Sequence, residues 1–530
     1  MAAGSGGFRE GLTVLDYGLV AVYMIVMLGF GWWFSRRQTS SESYFVGGRR
    51  MPWFVTGVSV FATLMSTISY LAMPGEMIKK GIGILAGQLV LPLAFVFVAF
   101  VIMGFYKRVP VTSAYEYLEK RFDLSVRWLG GVLFMVVRIG WMSLVIYTAS
   151  MALSEITGLD IYVTIVCVGL IATVYTCLGG IQAVIWTDFV QFLILFGGVI
   201  FTIAYVVFAT GTGPVKWLSD AATVGHTEVP LFSWDPTVRI TAVGIMLHVF
   251  FWQICTHSSD QVAVQRYLST PSLKTARRSL GTSLTCDITL ALTLSTCGIA
   301  LFSFYMNRPE VAGAIFEGES IIDHADKVFP NFIATQLPSG VAGLVVAALF
   351  SAAMSSLDSG VNSVSTVITV DFYRRIRGGR SVGDGSSGEV PGELALARWI
   401  TVLCGLLVTA TACLIVTRGK ELGDNIVEMT NRINSFVVGP LAGLFFAGML
   451  NRRCSSRPVI VGVLIGLVWG LFVTFSDTFL PGTKRVSFTH IIWSSCVLTF
   501  LVSAVLSLIW PEKRTDELAG FVVGRPVKKP

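Results

Sequence analysis

Along this chain, long apolar runs alternate with short polar connections. The runs have the length that a helix needs to cross a bilayer, about 20 residues. Thirteen of them lie near 13–34, 53–74, 82–105, 128–153, 160–179, 186–209, 239–258, 280–305, 333–370, 396–417, 425–450, 457–476 and 488–510. The run at 333–370 is long enough for one extended helix or a helix with an extension. The pattern predicts an all-α polytopic membrane protein with 13 transmembrane helices.

Composition agrees with this. Of 530 residues, 54% are hydrophobic and 13% charged, with mean hydropathy +0.72, whereas soluble domains carry roughly 25% charged residues. A net charge of +7 would suggest nucleic acid in a soluble protein. Here it falls to the loops, so no nucleic-acid partner is expected.

The loops set an orientation. Basic residues concentrate after every second run: Arg36, Arg37, Arg49 and Arg50; Lys107, Arg108, Lys120, Arg121 and Arg127; Arg266, Lys274, Arg277 and Arg278; Arg374, Arg375, Arg377 and Arg380; Arg452, Arg453 and Arg457; and a tail with Lys513, Arg514, Arg525, Lys528 and Lys529. The opposite loops carry fewer than half as many. The positive-inside rule then places the N-terminus outside and the C-terminal tail in the cytoplasm of a plasma-membrane protein, as an odd number of spans requires. The first 12 residues are Gly-rich with Arg9 and Glu10, and the first run is full length, so it reads as a span and not as a cleavable signal. The stretch 377–393 reads as a flexible cytoplasmic loop, and 210–238 as an outer loop with room for short structure.

Within 341–370, Ser355, Ser356, Asp358 and Ser359 interrupt an otherwise apolar span. Such groups are costly to bury in hydrocarbon and normally line a cavity or hold an ion. Hard oxygen donors with no Cys or His among them suit a small hard cation such as Na+. The nine cysteines are scattered, without CxxC pairing, and the five histidines show no metal-ligand spacing. No Gly-rich phosphate loop, nucleophile elbow or metal motif is present, so the chain does not read as an enzyme, and no cofactor is expected. Two runs are also interrupted by polar residues, at FATLMSTISY within 53–74 and at ICTHSSDQ ending 239–258. Each opens a group of five runs. Paired interruptions of this kind mark transporters built from inverted repeats with broken helices.

The segments YFVGGRRMPW (44–53), GVSVFATLMSTIS (57–69), TSAYEYLEKRFD (112–123), YTCLGGIQAVIWTDFVQ (175–191), DQVAVQRYLS (260–269) and SAAMSSLDSGVNS (351–363) occur in the order found in the sodium:solute symporter family. The chain resembles that family, most nearly the bacterial sialic acid symporters and the iodide, multivitamin and monocarboxylate group. The resemblance implies a five-plus-five inverted-repeat core with broken first and sixth core helices. It divides the chain into a peripheral helix and cytoplasmic loop (1–52), a first repeat (53–209), an extracellular loop (210–238), a second repeat (239–450), two peripheral helices (451–510) and a cytoplasmic tail (511–530).

It also implies sites. The family's shared sodium site, made of backbone carbonyls and hydroxyls, matches Ala62, Met65, Ala352, Ser355 and Ser356. A second sodium site would use Asp188, Asp358 and Ser359. Asp358 stands where most members have Ser or Thr, so two other readings are open: carboxylates that share a proton, and a salt bridge to a basic residue. Substrate-cavity positions match Leu64, Ser66, Thr67, Ser69, Gln88, Thr256, His257, Asp287 and Arg432. Trp141 replaces an arginine of the sialic acid branch, with Arg138 about one turn earlier. Thr256 replaces an aromatic gate residue of the sugar branch.

Asp287 and Arg432 lie deep in their runs, where charges need partners. Either Arg432 binds a substrate carboxylate with Asp287 orienting it or binding hydroxyls, or the two form a structural ion pair. Arg138 has the same ambiguity, and two arginines on a cavity would favour a small organic acid or acidic sugar. The expected activity is sodium-coupled import of a small solute by alternating access. A sugar symporter, a proton-coupled symporter using Asp188, Asp287 and Asp358, and a non-transporting sodium sensor are the alternatives. Expected partners are Na+, the solute and the bilayer, with the chain a monomer or weak homo-oligomer.

Overall fold

The computed structural model describes residues 11–35, 51–109, 111, 113–176, 181–376, 393–422, 425–512 and 517–523. The flexible loop expected at 377–393, most of the tail, and part of the motifs at 44–53, 112–123 and 175–191 lie outside the described residues.

Each of the thirteen apolar runs contains a helix. Two runs hold two helices each and α9 lies between runs, so in chain order the helices are α1 (Val14–Ser35), α2 (Trp53–Leu64), α3 (Thr67–Lys80), α4 (Ile82–Tyr106), α5 (Leu124–Thr157), α6 (Ile161–Thr176), α7 (Ile181–Thr210), α8 (Ala242–Ser259), α9 (Gln261–Leu268), α10 (Leu273–Met306), α11 (Ala325–Thr335), α12 (Val341–Ile376), α13 (Glu393–Leu422), α14 (Ile426–Leu450), α15 (Ser456–Thr474) and α16 (Ile491–Ile509). Among the described residues there is no strand beyond one isolated bridge, Cys454 to Pro511. Nine of the described helices are long and apolar enough to cross a membrane, or ten if α2 and α3 count as one bent span, while α1 and α6 carry shorter apolar stretches.

The run at 53–74 is broken. Met65 and Ser66 are extended, with φ/ψ of −98/117 and −122/−176, and α2 and α3 meet at 64°. Local chemistry fixes the break, because the Ser66 side chain accepts from Ile68 N at 3.1 Å and so caps α3. Asp260 separates α8 from α9 in the same way, accepting from Val262 N at 2.9 Å. The run at 333–370 is also divided. Residues 333–335 belong to α11, and the chain turns through Pro338 and Gly340 (φ +86) before α12 begins. Gly81 (φ +82) is tighter still, since a Cβ there would lie 2.0 Å from His226 O.

The helices α12 and α14 are the most enclosed, each 83% buried over its apolar window. One packs against α7, α5, α1 and α2, and the other against α16, α15, α5 and α8. Several basic residues assigned to loops prove to be internal ties. Arg121 is fully buried and donates to Gly448 O (3.1 Å) and Asn451 O (2.7 Å). Arg127 pairs with Glu119 (2.5 Å) and Asp371 (2.6 Å). Arg266 lies on α9 with no exposure at all.

Candidate functional site

The last turn of α2 has carbonyls that the break frees from helical bonding. They face α12. Ser355 Oγ lies 2.9 Å from Ala62 O and 3.2 Å from Ala352 O. Its single proton satisfies only one of them. Ser356 Oγ donates to Thr63 O at 3.1 Å. Ala62, Ala352 and Ser355 therefore meet as expected, and Ser356 joins one residue along, at Thr63. Met65 stands at the break, its N–H on Phe61 O (2.9 Å) and its body on the cavity wall. A buried set of carbonyl and hydroxyl oxygens is the donor chemistry of Na+.

The second sodium set does not converge. Arg266 fills the space between its members. Its Nη2 reaches Asp188 Oδ2 at 3.1 Å and Ser359 Oγ at 2.5 Å, Nε donates to Ser59 Oγ (2.8 Å), and Nη1 donates to Val262 O (3.1 Å). Ser59 also donates to Asp188 at 2.6 Å. Asp358 turns the other way and accepts from Thr176 Oγ1 on α6 at 2.7 Å. The salt bridge that the geometry shows in this region is Arg266 with Asp188. Arg266 was missed because an eight-residue helix makes no apolar run. The signal was a lone arginine among Val262, Ala263, Val264, Tyr267 and Leu268.

Beside the break lies a cavity of about 220 Å³ between α2, α3, α4, α5, α8, α10 and α14. Leu64, Ser69, Gln88 and Asp287 line it as expected. Ser66 and Thr67 do not. Ser66 caps α3, and Thr67 donates to Val145 O at 3.1 Å. Thr256 and His257 are not in the wall, and Gln253 and Trp252 of the same helix are.

Neither arginine enters the cavity. Arg432 donates to Thr474 O (2.9 Å) and Val486 O (3.3 Å), and Arg138 pairs with Asp260, Nε to Oδ1 at 3.3 Å. Asp287 instead accepts from Gln253 Nε2 at 3.1 Å. Both the carboxylate clamp and the Asp287–Arg432 pair are thereby overturned: backbone carbonyls take the two Nη groups of Arg432. The wall also contains Trp141, Trp252, Phe61, Phe488, His248, Ser283, Thr430 and Asn431. Most of these were missed, because aromatics within apolar runs look the same whether they pack a core or face a cavity.

Polar ties join the helices at both ends. At the end expected to face outside, Arg239 grips Glu76 with two bonds (2.6 and 2.9 Å) and Glu428 with one (2.5 Å), and Asn425 donates to Glu76 at 2.7 Å. At the other end, beside the Arg138–Asp260 pair, Tyr106 and Tyr115 donate to Ser258 O (2.5 Å) and Ser259 O (2.9 Å).

Helix α11, in the connection between spans, adds Asp326, whose Oδ2 accepts from Ile426 N at 3.1 Å. Burial raises its carboxyl from 3.8 to about 6. The folded state thus holds this proton more tightly than the unfolded state, so stability falls as pH rises from about 4 to 6 and stays lower above. Asp326→Asn keeps the acceptor and removes the charge. Its unfolding free energy should exceed the wild type's at pH 7 by on the order of 1–3 kcal/mol, seen as a higher thermal midpoint, and the gain should vanish near pH 4. A pH series of melting curves reads this directly.

The broken helix, the oxygens facing it and the cavity beside it agree with comparison to known proteins. The model of the sodium:solute symporter family matches residues 44–466. The chain belongs to the sodium:solute symporter family. The sodium/sialic acid symporter SiaT of Proteus mirabilis is 31% identical over 462 residues, covering 86% of this chain and 88% of the relative. The human sodium/iodide cotransporter is 30% identical over 495 residues, covering 92% and 73%. A solved Na+-coupled sialic acid symporter, in a substrate-bound outward-open state, superposes with a TM-score of 0.80 at 27% identity, over 94% of this chain and 99% of the other. Membership makes this chain a multi-pass membrane transporter.

Proposed function

We propose that this symporter imports a small carboxylated solute with Na+ across the plasma membrane, with its N-terminus outside. The observation that carries the reading is the meeting of Ala62 O, Ala352 O and Ser355 Oγ at the break. The relatives named for sialic acid, and the human sodium-coupled monocarboxylate transporter 1 at 29% identity, support a carboxylated solute. The paired breaks at Met65–Ser66 and Asp260 support two repeats rocking against each other. One convergent oxygen set supports one Na+ per cycle at this site.

The cycle follows from differential affinity. Na+ binds α2 and α12 together and favours the outward-open state. The solute then closes the Arg239 side, the Arg138–Asp260 side opens, and Na+ leaves. One net charge moving inward gains about 2.3 kcal/mol per 100 mV, enough for roughly fiftyfold accumulation of a solute with no net charge, whereas a singly charged acid carried with one Na+ draws only on the Na+ concentration gradient. In proteoliposomes, an inward Na+ gradient should drive concentrative uptake of a labelled small acid or amino acid, and K+ should not replace it. Uptake driven in Na+-free buffer by an inward proton gradient would contradict the reading.

A further inference from the structure

The cavity's charge is the reverse of what a plain acid needs. Among its described lining residues, Asp287 is the one Asp, Glu, Lys or Arg. A bare carboxylate solute would enter a low-dielectric space that already holds a carboxylate, with no basic side chain to offset it.

A directed chain of hydrogen bonds fixes how Asp287 is used. Tyr267 OH meets His257 Nδ1 at 2.6 Å, His257 Nε2 meets Gln253 Oε1 at 3.0 Å, and Gln253 Nε2 donates to Asp287 Oδ2 at 3.1 Å. The tyrosine proton goes to Nδ1, so Nε2–H donates to the amide oxygen, and the amide N–H donates onward. The chain ends on an acceptor, a carboxylate with one oxygen used.

The remaining walls suit a cation. Trp141 and Trp252 lie 6.1 Å apart at 36°, and π faces attract ammonium groups. The other side of the cavity begins at Met65 and Ser69, where the 14-residue α3 starts. Ser66 serves only Ile68 N there, so the N–H of Ser69, a wall residue, and the positive end of the helix are left to suit a negative ligand group.

We propose that the solute is a zwitterion: Asp287 holds a protonated nitrogen between aromatic walls, and its carboxylate sits at the Met65–Ser66 break beside the sodium oxygens. This rests on the symport reading above and adds the nitrogen to it. The volume, about 220 Å³, is below the roughly 300–1,000 Å³ of drug-sized sites, in keeping with a solute of amino-acid size.

The test is a thermal-shift titration of the purified full chain, with and without Na+, using matched triads. L-leucine is set against 4-methylpentanoate and isoamylamine, and L-phenylalanine against 3-phenylpropanoate and phenethylamine, with lactate and N-acetylneuraminate beside them. The proposal expects a zwitterion to bind with Na+ at least about tenfold more tightly than its deaminated acid. It expects that margin to vanish in Asp287→Asn and to survive in Asp287→Glu. An acid that binds as tightly as its zwitterion, no binding by either zwitterion, or an unchanged margin in Asp287→Asn would overturn it. The two readings fail separately. Zwitterion binding indifferent to Na+ sinks the symport reading and spares this one. Na+-dependent binding of lactate or N-acetylneuraminate that Asp287→Asn leaves unchanged does the reverse.

Discussion

Arg266→Met should be the most damaging single substitution in the core. Removing one partner of a buried ion pair costs about 3–5 kcal/mol, because the other charge stays buried and uncompensated. Asp188 is fully buried, and its Oδ1 already lacks a hydrogen-bond partner. Without the guanidinium it would keep only the hydroxyls of Ser59 at 2.6 Å and Thr63 at 3.3 Å. Lysine cannot substitute, because a planar fork here reaches Ser59, Val262, Asp188 and Ser359 at once. Asp188→Asn in the Arg266→Met background should recover more than half of the loss, since the pair is then neutral. A double-mutant cycle by thermal or denaturant unfolding measures this. Additive losses in the double variant would show that the two residues do not act as a pair.

Ser355→Ala should weaken sodium without unfolding the protein. The hydroxyl bridges α2 and α12 at 2.9 Å from Ala62 O. Losing that neutral bond costs about 1 kcal/mol, a cost the enclosed α12 can absorb. A hydrogen bond or ligand contact to a charge is stronger, about 1.5–3 kcal/mol, so Na+ affinity should fall about tenfold to a hundredfold. The Na+ concentration for half-maximal uptake should rise by that factor.

The break of the first core helix was legible because ATLMSTIS puts a capping serine between apolar halves, and helix ends obey local rules. The break at Asp260 was legible for the same reason. The oxygen set on α12 was legible because polar residues in the middle of an apolar run need partners, and a break supplies carbonyls. What faced the cavity was not legible. Arg138 and Arg432 are as deep in their runs as Asp287, but whether a side chain reaches a cavity, a backbone carbonyl or an acid depends on helix rotation and on neighbours far along the chain. Arg432 finds carbonyls at Thr474 and Val486, which no local pattern around residue 432 announces. Pro338 and Gly340 did mark the division of the run at 333–370, but its apolar length masked them.

The measurement that bears most directly on sodium coupling is a Na+ titration of thermal stability at fixed ionic strength, with K+ as the balancing cation, on wild type and Ser355→Ala. Saturable stabilisation of the wild type by Na+, displaced at least tenfold to higher Na+ in Ser355→Ala, is the predicted result. Equal responses to Na+ and K+ in the wild type, or identical Na+ curves for the two proteins, would contradict a sodium site at Ala62, Ala352 and Ser355.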